Sequence, residues 1–307
     1  MRLLKNAVKS VLRSIVRWRL HNLPLSAKSA EQWAERIKQW PAIFDDALLR
    51  REVVLAHDIR MQVGIVDHIE RQLWLQGEWD RPVKQVLESV LAPGDVYIDL
   101  GANIGYFTLL ASRLVGRDGV VVAVEPSVRA LRKLTHHLWL NQCGNVLLLS
   151  CAAADVWRRD KLGLANESNI GGSSVVAKGT PVGSTESVWL APLDDLLQGA
   201  DLRPKLIKLD LEGFELAALR GARRLIEQHH PWIVCEVTES FLRKYDASTE
   251  QLMAFLMDRG YRPFLMEDSP DSRRWLPIEE PISFDSAGQL DVLFVPPGCE
   301  PAFGEMR

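Results

Sequence analysis

At 307 residues, 47% of them hydrophobic and 25% charged, the chain has the composition of an ordinary globular protein, with one large α/β domain or two modest ones. A formal net charge of -3 argues against a chain-wide affinity for nucleic acid, and four cysteines without CxxC or metal-ligand spacing exclude a disulfide framework or a zinc site. No apolar run reaches the ~18 residues of a transmembrane helix and the charged start is unlike a secretory signal, so the expectation is a soluble or peripheral protein of the reducing cytoplasm.

Residues 1–20 place Leu4, Ala7, Val8, Val11, Leu12, Ile15 and Val16 at helical spacing, while Lys5, Lys9, Arg13 and Arg17 recur every four residues. With Arg2 and Arg19 this makes a basic amphipathic helix carrying no acid. It suits docking on its own domain or on a second copy in a homo-oligomer, or peripheral contact with the inner face of an anionic membrane. Residues 30–90 are mostly helical in pattern, with a strand pair near 51–66. The first 75 residues therefore read as an extension, and 76–307 as the main domain.

From residue 91, apolar runs of about five residues alternate with helical stretches, the mark of βαβ units around a parallel sheet. The predicted strands are 96–100, 120–124, 146–150, 206–210 and 232–237. Helices are predicted over 104–116, 127–141, 212–229 and 248–259. Two late runs, 262–266 and 291–295, suit an antiparallel pair, giving a doubly wound, seven-stranded Rossmann-like α/β sheet with an antiparallel last strand. Residues 155–195 interrupt the alternation and read as a Gly/Ser-rich loop.

The chemistry gathers at the strand ends. Val96 to Gly105 runs from a strand into a turn whose glycines let the backbone approach a ligand in the crevice of an open α/β sheet. Glu125 ends the next strand, where an acid is placed to accept ribose hydroxyls. The spacing of Gly101 and Gly105 departs from the GxGxxG that cradles a pyrophosphate, and Asp99 would repel a diphosphate yet receive the α-ammonium of a methionine moiety. These features point to S-adenosyl-L-methionine, with Asp99, Gly101, Gly105 and Glu125 as its candidate contacts. The candidate catalytic residues are Lys208, Asp210, Glu212 and Glu236. Two strand-end carboxylates facing one cleft suit a divalent cation or a base for a hydroxyl acceptor. Glu215 suits a helix-start role instead, and His136, His137, His229 and His230 are assigned no catalytic part.

The stretches Asp99-Leu-Gly-Ala-Asn-Ile-Gly105, Glu125-Pro126, Leu193-Asp-Asp-Leu196, Lys208-Leu-Asp-Leu-Glu-Gly-Phe-Glu215 with Gly221-Ala222, and Asp291-Val-Leu-Phe-Val295 together resemble the FkbM family of methyltransferases over roughly two-thirds of the chain. The resemblance implies a class I methyltransferase fold, S-adenosylmethionine as donor, and O-methylation of a hydroxyl on a sugar or glycan, glycolipid or polyketide-type acceptor; it carries over Asp99, Gly101, Asn103, Gly105 and Glu125 as cofactor contacts, with Tyr106, Pro126, Ala153 and Asp210 beside them as further candidates, and Asp210, Glu212 and Glu236 as active-cleft residues. Two rivals stand beside it: a nicotinamide-dependent oxidoreductase of Rossmann type, and a non-catalytic adaptor that binds a membrane or partner through residues 1–20.

Overall fold

The computed structural model describes residues 26–39, 50–165, 169–177, 183–267, 274–278 and 288–300, together with Ser14 and Val16, which are helical. The rest of the basic helix expected over 1–20 lies outside the described residues. The chain divides into two compact units, residues 1–79 with 166–170, and residues 80–165 with 171–307.

In the first unit, α1 (Ala27–Gln39) buries Ala30 and Ala34. The strands β1 (Arg51–Val54) and β2 (Arg60–Val63) pair antiparallel as the β-rich pattern predicts, with Met61 and Val63 buried between exposed Arg60 and Gln62. Helix α2 (His68–Gln76) is capped at its start by Asp67, whose Oδ1 accepts from the Glu70 amide at 3.0 Å. Gly77 ends it at φ 76°.

The second unit opens with α3 (Arg81–Val90) and proceeds through β3 (Val96–Leu100), α4 (Tyr106–Val115), β4 (Val120–Val124), α5 (Val128–Leu140) and β5 (Val146–Leu149). After four short strands described below and α6 (Leu193–Leu196), it continues through β10 (Pro204–Leu209), α7 (Glu215–Gly221), α8 (Arg223–His229) and β11 (Trp232–Val237). It ends with α9 (Glu239–Leu242), α10 (Thr249–Met257), β12 (Arg262–Glu267), β13 (Arg274–Pro277) and β14 (Leu290–Val295). The main sheet has the order β13-β12-β14-β11-β10-β3-β4-β5, with β14 antiparallel to β11 and β12. All seven expected strands are present, and β13 adds an eighth at the edge. The helix expected over 212–229 is divided into α7 and α8 at Ala222, whose φ of -109° and ψ of 13° leave the helical region.

The chain winds from β3 outward to β4 and β5, then returns to the other side of β3 for β10 and β11. The switch point thus lies between β3 and β10, where a ligand crevice opens at the carboxyl ends. Ile98, Leu100, Val122, Val124, Ile207, Leu209, Ile233 and Val292 form the buried layers, covered by Leu219, Ile226, Leu252 and Leu256 from the helices. At roughly 1.5–3 kcal/mol for each large apolar side chain buried, this core fixes the strand ends against the cost of the charged groups placed there.

The loop expected over 155–195 is corrected by the structure. Strands β6 (Ala152–Ala153), β7 (Arg158–Gly163), β8 (Ser174–Val175) and β9 (Thr185–Ala191) form a second sheet in the order β6-β9-β7-β8. Of β7 only Leu162 is buried, so its sequence reads as polar, and the Gly/Ser-rich segment is merely the turn before β8. Its apolar inner face is supplied by Leu162, Val175, Val188 and Leu190.

Candidate functional site

The turn after β3 is shaped by three left-handed positions, Gly101 at φ 83°, Asn103 at 49° and Gly105 at 94°, which delay the start of α4 to Tyr106. A Cβ on Gly101 would stand 2.0 Å from the Asp210 carbonyl oxygen, so the two strand ends meet at a point with no room for a side chain. The Asp210 amide donates to the Leu100 carbonyl at 3.1 Å, just past the end of β10. On the other side, the Gly101 and Ala102 amides donate to the Val124 carbonyl.

Glu125 is buried and closes this turn, with Oε2 accepting from the Asn103 amide and Oε1 from the Ser127 amide, each at 2.8 Å. Burial, against those two hydrogen bonds, raises its pKa to about 7. Asp99, 1% exposed, accepts from the Thr108 hydroxyl at 2.6 Å through Oδ2 alone. Among the described residues Asp99 Oδ1 and Asn103 Oδ1 are buried acceptors that accept no hydrogen bond of good geometry, although the buried Tyr97 hydroxyl, likewise unpartnered, lies near enough to act on the Asp99 carboxylate. Tyr106 is buried against Phe107 at a ring separation of 5.0 Å, and Pro126 is half-buried between Glu125 and Ser127. Ala153 is buried in the core cluster that also holds Val124, the residue before Glu125.

Across the switch point Lys208 pairs in register with Asp99, and its Nζ lies 3.0 Å from Asp210 Oδ2. This is the shared face that the period-two alternation predicts. Burial works against the Lys208 charge, but Asp210 and Asp99 outweigh it and hold the ammonium firmly ionised. For Asp210, burial is the largest influence and pushes upward, but the Lys208 charge and hydrogen bond, with Glu236 added, together outweigh it, so this half-buried carboxylate stays ionised below its ordinary range. Glu236, at the end of β11, shows the opposite behaviour. Burial, then the Asp210 charge, drives it far up, so it holds its proton where Asp210 is ionised, while the Thr238 hydroxyl donates to its Oε1 at 3.1 Å.

Glu212 is half-buried in a left-handed backbone conformation, φ 54°, an arrangement that costs roughly 1 kcal/mol and recurs at functional turns. Burial, then Asp210 and Glu215, lift its pKa to about 7. Glu215, fully buried at the start of α7, accepts from the Leu211 and Gly213 amides at 2.9 and 3.1 Å, so its carboxylate ties the turn together. Its pKa, too, is raised by burial to about 7. A carboxyl raised in the folded state adds stability that is complete below about pH 4.5 and fades as pH climbs through 7. Urea or thermal melts of the ligand-free protein are therefore expected to show stability falling from pH 6 to pH 8. Glu215→Gln, which keeps an acceptor oxygen, is expected to flatten that decline by a few degrees in Tm, at roughly 2–4 °C per kcal/mol for a domain of this size. A slope unchanged in Glu215→Gln would contradict the assignment.

The expected divalent cation finds no support: among the described residues no group of three or more His, Cys, Asp or Glu side chains is arranged to hold a metal. No helix among them is long and apolar enough to cross a membrane.

Residues 99–263, more than half of the chain, match the model of the methyltransferase FkbM domain. The chain belongs to the FkbM methyltransferase family. It is 27% identical over 201 residues to the hexuronic acid methyltransferase AglP of Haloferax volcanii, a match covering 62% of this chain and 77% of that protein. A methyltransferase FkbM from Methylobacillus flagellatus resembles it with a TM-score of 0.44 at 20% identity, covering 73% of this chain; the chain spans about half of that structure, 52%. Fibrillarin of Aeropyrum pernix, solved with bound S-adenosyl-L-methionine, gives 0.40 at 12% identity, covering 70% of this chain and 74% of that one.

Within this FkbM methyltransferase, several of the residues that carry the family likeness have framework duties. Asp194 accepts from the Arg224 and Leu225 amides at 2.8 and 3.0 Å and so caps α8. A Cβ on Gly221 would fall 1.9 Å from the Ala154 carbonyl, which explains glycine where α7 crosses β6. His137 is also framework, its Nδ1 2.8 Å from the Ile104 carbonyl. Two residues near the site have no role there assigned from the sequence, in which Asp291 stands only as part of the last strand. Thr108 holds Asp99 from inside an apolar helix, and Asp291 lies opposite Glu236 in the β11–β14 register, its pKa raised by burial to about 8.

Proposed function

We propose that the chain transfers a methyl group from S-adenosylmethionine to a hydroxyl oxygen of a sugar or glycan acceptor. The observation that carries this reading is the convergence, at the carboxyl ends of β3, β4 and β10, of the buried acids Asp99 and Glu125 with Lys208 and Asp210. Those groups suit the donor's cationic and hydroxylated parts. In this reading the unpartnered Asp99 Oδ1 receives the α-ammonium and Glu125 the ribose hydroxyls. Asn103 offers its free Oδ1, and Gly101, Gly105, Tyr106 and Pro126 shape the wall, with Ala153 behind it in the core. The name of the Haloferax volcanii relative supports a sugar acceptor.

When bound, S-adenosylmethionine supplies an electrophilic methyl carbon and departs as S-adenosylhomocysteine. The chain's own work is to orient the acceptor and receive its proton. Asp210, ionised and braced by Lys208, takes a hydrogen bond from a neighbouring hydroxyl of the acceptor and so aligns the reacting oxygen, whose own O–H points to Glu212. Glu212, with a pKa of about 7, takes the proton as the new C–O bond forms, since a base is most effective with a pKa near the working pH. Glu236, at the end of the neighbouring strand, keeps its own proton and so adds no second negative charge next to Asp210.

Calorimetry with S-adenosylhomocysteine tests the donor half of this reading. Micromolar binding by the wild-type chain is expected, weakened at least about tenfold in Glu125→Ala, the equivalent of about 1.4 kcal/mol. Absence of heat with folded wild-type protein, or full affinity in folded Glu125→Ala, would count against it.

A further inference from the structure

Beside the Glu212 turn lies a cavity of about 630 Å³, within the size range of small-molecule sites, which none of the candidate residues above explains. Its floor is aromatic and fixed: Phe214 meets Tyr245 edge-on at 4.7 Å, and the Tyr245 hydroxyl donates to the Val175 carbonyl at 2.5 Å. Its rim alternates in charge. Arg158, paired to Asp160 at 3.1 Å, Arg220 and Lys244 face the same space as Asp155, Asp160 and Asp246.

That mixture selects a ligand class. A phosphate or nucleic acid would meet three carboxylates, and an apolar ligand would desolvate six charged groups without compensation. A polyol does neither, because each hydroxyl both donates and accepts, and its C–H faces lie well on aromatic rings. Gly213, the neighbour of Glu212, forms part of the wall, and a Cβ there would stand 2.5 Å from the Phe241 carbonyl oxygen. Lys244 is close enough to act on the Glu212 carboxyl.

Resting on the methyl-transfer reading, we propose that this cavity between β7, β8, α7 and the 243–245 turn binds a sugar ring of the acceptor, next to the ring whose hydroxyl meets Glu212. Arg220 and Asp246 anchor its hydroxyls from opposite sides.

The test uses the full chain saturated with S-adenosylhomocysteine and a panel of methyl glycosides, among them methyl glucoside, methyl mannoside and methyl glucuronide. Binding is followed by saturation-transfer NMR in wild type, Arg220→Ala and Asp246→Ala. At least one glycoside is expected to bind, with affinity reduced about tenfold in each variant while S-adenosylhomocysteine affinity stays within about twofold. Glycoside affinity equal to wild type in both variants overturns the cavity assignment, and so does the absence of any glycoside signal from protein that binds S-adenosylhomocysteine. Failure of the wild-type chain to bind S-adenosylhomocysteine removes the methyl-transfer reading itself.

Discussion

Gly101→Ala is expected to destabilise the fold by at least about 3 kcal/mol and to remove measurable S-adenosylhomocysteine binding, a loss at the severe end for a single methyl group. Two independent penalties combine there. The backbone sits at φ 83°, where an L side chain costs roughly 1–2 kcal/mol, and the new Cβ would meet the Asp210 carbonyl oxygen at 2.0 Å. That oxygen belongs to backbone held by the Leu100 hydrogen bond, so it cannot step aside without opening the β3–β10 junction. Two other glycines calibrate the argument. At Gly105 the Cβ would strike Leu134 Cδ1 at 2.3 Å, the far end of a flexible side chain that is able to rotate away. At Gly77, φ 76° and ψ 4°, nothing lies within 4 Å, so only the cost of a left-handed residue remains. Urea melts should therefore rank the alanine variants Gly101, Gly105, Gly77 from most to least damaging. Gly101→Ala melting with Gly77→Ala would show that the junction is looser than its geometry.

The same geometry explains what was legible in the sequence. Strands of the main sheet are buried on both faces, so their apolar runs stood out and a ligand crevice at their carboxyl ends could be expected, whereas the strand order that sets the switch point between β3 and β10 came from the structure. Strand β7 was illegible because it buries a single side chain, and β9 because Ser187 and Trp189 on its outer face are exposed, masking the alternation. The break at Ala222 was hidden because both sides keep helical spacing. At the site, Asp99, Glu125 and Asp210 could be found because acids at the ends of apolar strands are conspicuous. Their protonation could not. It depends on Lys208 standing 3.0 Å from Asp210 and on Glu236 lacking any comparable cation, which only the packed structure provides. Acids equivalent in sequence thus separate into an ionised Asp210, a protonated Glu236 and a Glu212 poised near neutrality.

That separation leads to the other large effect. Glu212→Gln is expected to lower kcat by about 10²–10⁴-fold while S-adenosylhomocysteine affinity stays near wild type, because the amide cannot receive the acceptor's proton. In wild type, the unprotonated form is the active one, so kcat/KM should rise as pH passes through about 7, and that limb should vanish in Glu212→Gln. Asp210 supplies the discriminating control. Its negative charge is one reason, after burial, that the Glu212 pKa is high, so Asp210→Asn should move the limb toward lower pH as well as slowing turnover. An Asp210 that is itself the base predicts something else: loss of the limb in Asp210→Asn and its retention in Glu212→Gln. The pH profiles of the two variants, measured with one methyl-accepting glycan, therefore assign the proton to one carboxylate or the other, and a limb intact in Glu212→Gln removes Glu212 from the chemistry.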